Sequence, residues 1–301
     1  MSTPGFPPWS GFNFTKTLHN KPSTALDPRS QSLPGPFVVC ITGASRGIGA
    51  ATAKAFAQAG ATGLILTART ADALQQTQQE CRTAAARSAL KISLVAADIG
   101  NEASAKHLAE VTKAEHGRLD VLVNNAGVLS TDASAFNKLD SIGVEQIQDV
   151  MQINYVGRFL TIKHLMPILL ASTDGAKTIV NISSISSHFA NEGPIGFSIS
   201  ALATTRLTEN IAETYADAGV VAYAVHPGMV LTTAPPGMPY EWLPGMQDDT
   251  GLCGAFLVWL TKEKREWLSG RYVSANWDVE ELETMKDQIV KEDKLKMRMV
   301  V

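Results

Sequence analysis

Side chains capable of acid–base chemistry gather in one stretch of the chain, between a predicted strand and a predicted helix. The β-branched run at 178–183 predicts a buried strand, and residues 198–215 predict a helix. Ser184, His188 and Glu192 lie in the loop between them. A hydroxyl at the end of a parallel strand, facing a helix, lies where open α/β sheets bind their ligands. These three side chains can therefore act as hydrogen-bonding or acid–base groups on a bound small molecule.

A glycine-rich loop near the start of the chain predicts a dinucleotide site. Residues 37–42 (FVVCIT) predict the first strand and residues 50–59 the first helix. The loop that joins them contains Gly43, Ser45, Arg46, Gly47, Ile48 and Gly49. Strand, glycine loop and helix in succession indicate nucleotide binding, because glycines let the backbone approach a pyrophosphate at the helix N-terminus. A tight turn without a ligand is the alternative.

The second predicted strand, 63–67, indicates which nucleotide is bound. NAD-binding proteins place an acidic residue near the tip of this strand for the ribose 2′-hydroxyl, whereas an arginine accommodates a 2′-phosphate. The tip has no acid; Arg69 follows it, and Arg46 lies in the glycine loop. Guanidinium groups bind phosphate well. The sequence predicts NADP(H) rather than NAD(H), with solvated surface arginines as the alternative interpretation.

Several motifs in one order resemble the short-chain dehydrogenases/reductases. They are Thr-Gly-x-x-x-Gly-Ile-Gly at 42–49, Asn-Asn-Ala-Gly at 124–127 and Asn-Tyr-Val-Gly at 154–157, and the resemblance covers roughly 37–277. It implies a Rossmann-like α/β domain, a doubly wound parallel sheet of about seven strands. It also implies that the cofactor contacts Asp98, Ile99, Asn125, Ala126, Gly127, Pro227, Gly228, Val230 and Thr232.

Three residues near the site have expected roles that remain open at the level of sequence. The resemblance implies that Asp98 binds the adenine amino group, but an Asp here can also belong to a helix N-cap region. It implies that Asn154 holds a water of a proton relay, although a buried Asn bonded to backbone is a serious alternative. His226, just before the Pro-Gly turn, is expected to be structural rather than catalytic.

The resemblance fails at the two residues that carry the family's proton chemistry. A Ser at the strand end is followed in the family by a Tyr thirteen residues on and a Lys four further on. Counting from Ser184, those positions hold Phe197 and Ala201. The family's Tyr protonates the carbonyl oxygen, and its Lys lowers the Tyr pKa and binds the cofactor's ribose. The active site is therefore predicted to be degenerate, and loss of a positioned general acid typically costs about 10²–10⁴ in rate.

A full set of cofactor motifs beside a lost proton donor leaves three functional hypotheses. The first is an oxidoreductase whose substrate needs no proton donor, because a hydride added to an iminium carbon yields a neutral amine. The second is a non-redox cyclase, isomerase or dehydratase that uses the pocket for positioning. The third is a catalytically dead protein that binds NADP(H). The glycine loop favours the first hypothesis, and the double loss of Tyr and Lys favours the second.

Segments outside the predicted catalytic elements suggest the substrate and the chain's boundaries. Residues 234–250 form a Pro-rich loop and a candidate lid, and four large side chains there are expected to line an apolar pocket: Met238, Tyr240, Trp242 and Met246. Residues 1–36 are expected to be an arm along the domain or a loose tail. Residues 279–301 predict an amphipathic surface helix. The sequence at 270–278 resembles fungal tailoring members of the family, which implies a secondary metabolite as substrate.

Composition excludes several classes of partner. The 301 residues are 45% hydrophobic and 18% charged with a net charge of −3, which argues against nucleic acid and anionic membrane surfaces. No apolar run approaches the length of a membrane-spanning helix. Three cysteines without metal-like spacing predict a cytoplasmic protein with no disulfide and no metal site. The predicted helix 144–171 has two apolar faces, one of which suits a subunit of a homodimer or homotetramer.

Overall fold

Seven parallel strands form a single sheet in the computed structural model, which describes residues 7–189 and 193–299. The order is β3-β2-β1-β4-β5-β6-β7, so the predicted doubly wound α/β fold is confirmed. The order reverses between β1 and β4, which opens a crevice at the carboxyl ends of the strands. The strands are β1 Val38–Thr42, β2 Gly63–Ala68, β3 Lys91–Ala96, β4 Val121–Asn124, β5 Thr178–Ile182, β6 Val221–His226 and β7 Arg271–Ser274.

Helices cover both faces of this sheet. The helices are α1 Gly47–Gln58, α2 Gln75–Ala84, α3 Glu102–His116, α4 Val144–Met151, α5 Gly157–Ala171, α6 Ile195–Thr214, α7 Thr250–Thr261, α8 Val279–Thr284 and α9 Lys286–Lys291. Val39 and Ile41 of β1 face a core shared with α1 and α7, whereas Val38 and Cys40 face a second core shared with α3 and α5. This alternation follows from the two-residue period of a strand.

The long helix predicted at 144–171 is interrupted by a π-helical turn. Helix α4 ends at Met151, the π-helical turn spans Gln152–Val156, and α5 begins at the next residue, Gly157. Such turns insert an extra residue into a helix and occur frequently at functional sites. Asn154 lies at the centre of this one, facing α6.

The N-terminal segment packs along the domain from residue 7 onwards. Leu26 and Leu33 are buried in the main core. Leu18 forms an antiparallel bridge with Trp277, whose Nε1 donates a hydrogen bond to the carbonyl of Gly11 (3.0 Å). Residues 7–36 are thus an arm held by the end of the chain; residues 1–6 lie outside the described part.

The C-terminal segment departs from the single surface helix predicted for 279–301. It forms two short helices, α8 and α9, which bury Leu282 and Ile289. Helical geometry ends at Lys291, and Asp293 and Leu295 beyond it adopt positive φ angles of 47° and 65°, which a right-handed helix does not allow. No helix of the described chain is both long and apolar enough to cross a membrane.

Candidate cofactor and active site

The glycine loop forms a cradle in which side chains have no room. Gly43 and Gly47 have φ angles of +67° and +57°, a conformation that glycine adopts at little cost. A Cβ on Gly49 would lie 2.2 Å from the carbonyl oxygen of Gly43. Arg46 precedes α1 and makes no side-chain cap, so the first amides of the helix stay available to a ligand. This arrangement fits a pyrophosphate.

Residues at the end of β4 fix the cradle to the sheet. The hydroxyl of Thr42 accepts hydrogen bonds from the backbone amides of Asn125 and Ala126, both at 3.0 Å. The side-chain amide of Asn125 donates to the carbonyls of Thr42 (2.9 Å) and Gly43 (3.1 Å). Asn125 therefore braces the cradle against the end of β4.

Two arginines lie free at the adjacent ends of β1 and β2. The register pairs Thr42 with Thr67, so the loops that follow these strands are neighbours. The side chains of Arg46 and Arg69 are exposed and make no hydrogen bond or ion pair within residues 7–189 and 193–299. Ser45 lies beside Arg46, and Ala68 stands where an acid would meet a 2′-hydroxyl. Both guanidiniums are available to a phosphate.

The adenine end of the predicted site is partly filled by local contacts. Oδ1 of Asp98 accepts a hydrogen bond from the amide of Gly100 (3.0 Å). The N-cap of α3 is Asn101, and Asp98 lies three residues before it, in the turn that leads into the helix. Ile99 is buried against Gly157, where a Cβ would lie 3.0 Å from Cδ1 of Ile99. Asp98 keeps its second carboxylate oxygen for a ligand.

The Pro-Gly loop closes over the cradle from the other side. Pro227 and Gly228 follow β6, and Val230 bridges to Gln247. The methyl group of Thr232 lies 2.7 Å from where a Cβ of Gly47 would be. The two loops thus meet above the crevice, as expected for elements that enclose one dinucleotide.

The candidate lid packs on a neighbouring loop. A 3₁₀ turn, Tyr240–Gly245, places Trp242 edge-on against Phe136 with ring centroids 5.6 Å apart. Tyr240, expected to line a pocket, is instead 85% exposed, because it lies at the solvent side of this turn. Met238, Trp242 and Met246, in contrast, are half-buried.

Asp248 holds this loop in place, a role that the sequence did not indicate. Its Oδ2 accepts hydrogen bonds from the amide of Met229 (2.6 Å) and Nδ2 of Asn276 (2.8 Å). Burial raises the pKa of the Asp248 carboxyl above its ordinary value, although these two donors oppose the shift. Together with the backbone bridge between Val230 and Gln247, this half-buried carboxylate attaches the lid to the segments that follow β6 and β7.

Replacing Asp248 with Ala should loosen the lid, because two donors lose their acceptor, at a cost of about 1–3 kcal/mol. Hydrogen exchange at Met229 should accelerate, and the melting temperature should fall. Asp248→Asn, which keeps an acceptor oxygen, is the matched control. The pKa of Asp248 is higher in the folded state than its ordinary value in the unfolded state. The wild type should therefore lose stability relative to the Asn control as the pH rises from the ordinary pKa through the raised one. Unchanged exchange at Met229 in the Ala variant would contradict this attachment.

The structure brings Ser184 and Phe197 to the same end of the crevice. Oγ of Ser184 accepts from the amide of Ser186 (3.1 Å) and caps a short turn. A Cβ on Gly193 would lie 3.4 Å from Oγ of Ser186 and 3.9 Å from the ring of Phe197. Ala201, one turn further along α6, is buried. Around Phe197 and Ala201, the predicted site has a serine hydroxyl but neither the family's phenol nor its ammonium group.

Asn154 is committed to structural hydrogen bonds. Its Oδ1 accepts from the amide of Val128 (2.8 Å), and its Nδ2 donates to the carbonyl of Val128 (2.9 Å) and to Oγ of Ser200 (3.0 Å). The side chain joins the loop after β4 to α6. The geometry favours the buried structural alternative over a side chain that holds a relay water.

Both histidines near the site are engaged and neutral. Nε2 of His188 donates to the carbonyl of Ser10 (2.6 Å), so Nδ1 accepts from the hydroxyl of Ser187 (3.0 Å). Burial lowers the pKa of His188, and it lowers that of His226 to about 3. His188 therefore connects the arm to the catalytic loop and is a poor proton donor. Glu192 lies outside the described residues.

Sequence reasoning missed the cation nearest to this site. Arg158 on α5 is 5% exposed, and burial lowers the pKa of its guanidinium to about 10, so it stays charged at neutral pH. Nη1 donates to Oγ1 of Thr204 (3.0 Å), and no acidic residue of the described chain pairs with it. The available signal was the three- to four-residue spacing of the polar residues at 154, 158 and 161, which is the spacing of one helix face.

The fold and the cradle together define a dinucleotide-binding α/β protein. The profile of the short chain dehydrogenase family matches residues 37–236, and the chain belongs to that family. Members are oxidoreductases that bind a nicotinamide cofactor, and the cradle described above fits one.

Named relatives agree with this assignment. The chain is 41% identical over 297 residues to the short chain dehydrogenase pgmD of Aspergillus terreus, covering 97% of this chain and 95% of the relative. It is 37% identical over 297 residues to the short chain dehydrogenase mpl6 of Monascus purpureus, covering 98% and 99%. The fold matches a solved dehydrogenase/reductase from Sinorhizobium meliloti 1021 with a TM-score of 0.70 at 25% identity, covering 82% and 96%.

Proposed function

We propose that the protein is an NADPH-dependent reductase that delivers a hydride to an apolar small molecule of secondary metabolism without using a Tyr/Lys proton relay. An iminium ion is the simplest such substrate. The observation that carries the proposal is the complete glycine cradle beside a catalytic position filled by Phe197 and Ala201. The two relatives named above come from filamentous fungi, which supports a tailoring role.

The chemistry explains why the proton donor is dispensable. When bound, the nicotinamide cofactor supplies a hydride. An iminium carbon that accepts it forms a new C–H bond while the electron pair of the C=N π bond moves onto nitrogen, and the product is a neutral amine. A ketone instead becomes an alkoxide that needs a proton, which Phe197 cannot give. The half-buried Phe197 ring offers an apolar wall to such a substrate.

The preference for NADP(H) rests on Arg46 and Arg69. Neither guanidinium has a partner in the described chain, and both follow adjacent strands. An added 2′-phosphate would accept charge-assisted hydrogen bonds from them. NADH lacks that phosphate, so it leaves both groups unused.

Replacing Arg69 with Ala should weaken NADPH binding about tenfold and leave NADH binding unchanged, because only the 2′-phosphate contact is lost. Isothermal calorimetry measures both affinities. Arg82→Ala on α2, another exposed arginine, is the matched control and should change neither value. If the ratio of NADPH affinity to NADH affinity is the same in Arg69→Ala as in the wild type, Arg69 does not contribute to the preference for NADP(H). Failure of the wild type to bind either nucleotide would remove the redox proposal.

The oligomeric state is expected to involve the outer faces of α5 and α6. Phe159, Ile199 and Leu202 are 47%, 51% and 44% exposed there. Large apolar side chains in one region of a surface mark association sites. We therefore propose a homodimer or homotetramer, acting in the cytoplasm.

A non-redox isomerase or cyclase is the second candidate, supported by the loss of both Tyr and Lys. The engagement of His188 with Ser10 and Ser187 weighs against it, since it removes one expected acid–base group. Incubation with NADPH and an apolar cyclic imine tests the choice. Amine formation coupled to NADPH oxidation supports the reductase. A folded enzyme that binds NADPH but does not reduce imines of several sizes would favour the second candidate.

A further inference from the structure

We propose that Arg158 replaces the missing Lys as the cation that hydrogen-bonds the nicotinamide-side ribose of the cofactor. This inference rests on the proposed function, because it assumes that a nicotinamide nucleotide lies in the crevice. In this proposal the positive charge comes from a different helix than in the family. Arg158 is on α5, whereas the family's Lys position, here Ala201, is on α6.

The guanidinium contacts α6 about one turn beyond Ala201. Nη1 of Arg158 donates to Oγ1 of Thr204, which follows Ala201 by three residues and so shares its helix face. Oγ1 of Thr204 in turn lies 3.4 Å from the carbonyl of Asn154. Asn154 and Arg158 are one turn apart on the other helix. The small Ala201 side chain leaves this face of α6 open to the arginine.

The other side of the guanidinium faces the loop after β4. A Cβ on Gly127 would lie 3.2 Å from Nη2 of Arg158 and 3.1 Å from Oδ1 of Asn154. Gly127 belongs to the Asn-Asn-Ala-Gly segment whose two preceding residues brace the glycine cradle. Arg158 thus lies between the cofactor loop and the helix that carries the catalytic positions.

The donors of Arg158 are mostly unused by the protein. A guanidinium has five N–H donors, and in residues 7–189 and 193–299 only Thr204 accepts from this one; Nε is buried without a partner. The buried Arg265, in contrast, pairs with Glu263 and Glu283. A buried charge without a partner destabilises a fold. Its retention here is explained by a ligand that supplies acceptors, and ribose hydroxyls beside Gly127 are suitable ones.

Arg158→Met should separate this role from a structural one. We expect NADPH affinity by calorimetry to fall about 10- to 100-fold, since hydrogen bonds from a charged donor are lost. The melting temperature without nucleotide should stay equal or rise, because an unpaired buried charge is removed. Arg158→Lys should retain more affinity than the Met variant. Arg206→Met, which changes a half-exposed arginine on α6 paired with Glu209, should bind NADPH like wild type.

A charge exchange provides the second, independent measurement. Ala201→Lys alone should lower the melting temperature, because it adds a cation beside Arg158. In the Arg158→Met background the same substitution should restore NADPH affinity. Wild-type affinity in folded Arg158→Met would overturn the inference and leave the proposed function intact. If Ala201→Lys lowers the melting temperature equally in the wild-type and Arg158→Met backgrounds, the inference would also be overturned, even if the Met variant folds poorly. Absence of nucleotide binding by the wild type would overturn the proposed function and this inference together.

Discussion

Replacing Phe197 with Tyr is expected to create NADPH-dependent ketone reduction at about 10²-fold or more above the wild-type rate. The wild type should reduce ketones barely above background, because Phe197 has no proton to give to the developing alkoxide. A positioned general acid contributes about 10²–10⁴ in rate. Phe197 already lies at the crevice, near the loop that follows Ser184. The substitution adds one hydroxyl to a half-buried ring.

The gain should depend on Arg158. An unperturbed Tyr has a pKa near 10, and a nearby cation lowers it towards the pH at which proton transfer is efficient. Phe197→Tyr combined with Arg158→Met should therefore lose most of the new activity. Phe136→Tyr, which adds a phenol beneath the lid at Trp242, is the matched control and should gain none. A folded Phe197→Tyr variant that binds NADPH but reduces no apolar ketone would contradict this account of the site.

The sequence alone leads to a different expectation for this variant. With Ala at position 201, a Tyr introduced at position 197 would lack the charge that activates it, and both residues would have to be restored. Arg158 alters that conclusion, and a Lys added beside it would bring two cations together. The sequence could not place Arg158, because its contact with Thr204 joins residues 46 positions apart. The π-helical turn at Gln152–Val156 also shifts the phase of the helix that carries it.

What could be predicted was set by local patterns. The β-branched runs predicted the strands, and the glycine loop predicted the doubly wound fold and the cradle. These features depend on residues that are close together in the sequence. The lid attachment could not be found this way. Asp248 accepts hydrogen bonds from Met229 and Asn276, and the turns that bring these residues together have no periodic sequence pattern. The same holds for His188, whose partner Ser10 comes from the arm, 178 residues away. In both cases the contact of a single polar side chain with a residue distant in sequence decided the difference.

Replacing Gly49 with Ala is expected to reduce NADPH affinity by at least about 100-fold. In an unconstrained helix this change favours folding by about 1 kcal/mol, so propensity alone predicts a more stable protein. The Cβ of the new alanine would instead lie 2.2 Å from the Gly43 carbonyl oxygen and 2.5 Å from Nδ2 of Asn125. Both distances are shorter than a van der Waals contact, so the surrounding atoms must move. The loop must move away from α1, and its amides then no longer converge on one pyrophosphate.

Calorimetry on the folded Gly49→Ala variant, with circular dichroism to verify the fold, measures this effect. The proper control is another glycine with ordinary space around it. Gly143 has no left-handed φ, and a Cβ there would lie 3.7 Å from Oγ of Ser134, so Gly143→Ala should bind NADPH like wild type. If Gly49→Ala retains its fold and its affinity, the nucleotide does not lie on this cradle. Loss of affinity in Gly49→Ala but not in Gly143→Ala would instead assign the pyrophosphate to the turn between β1 and α1.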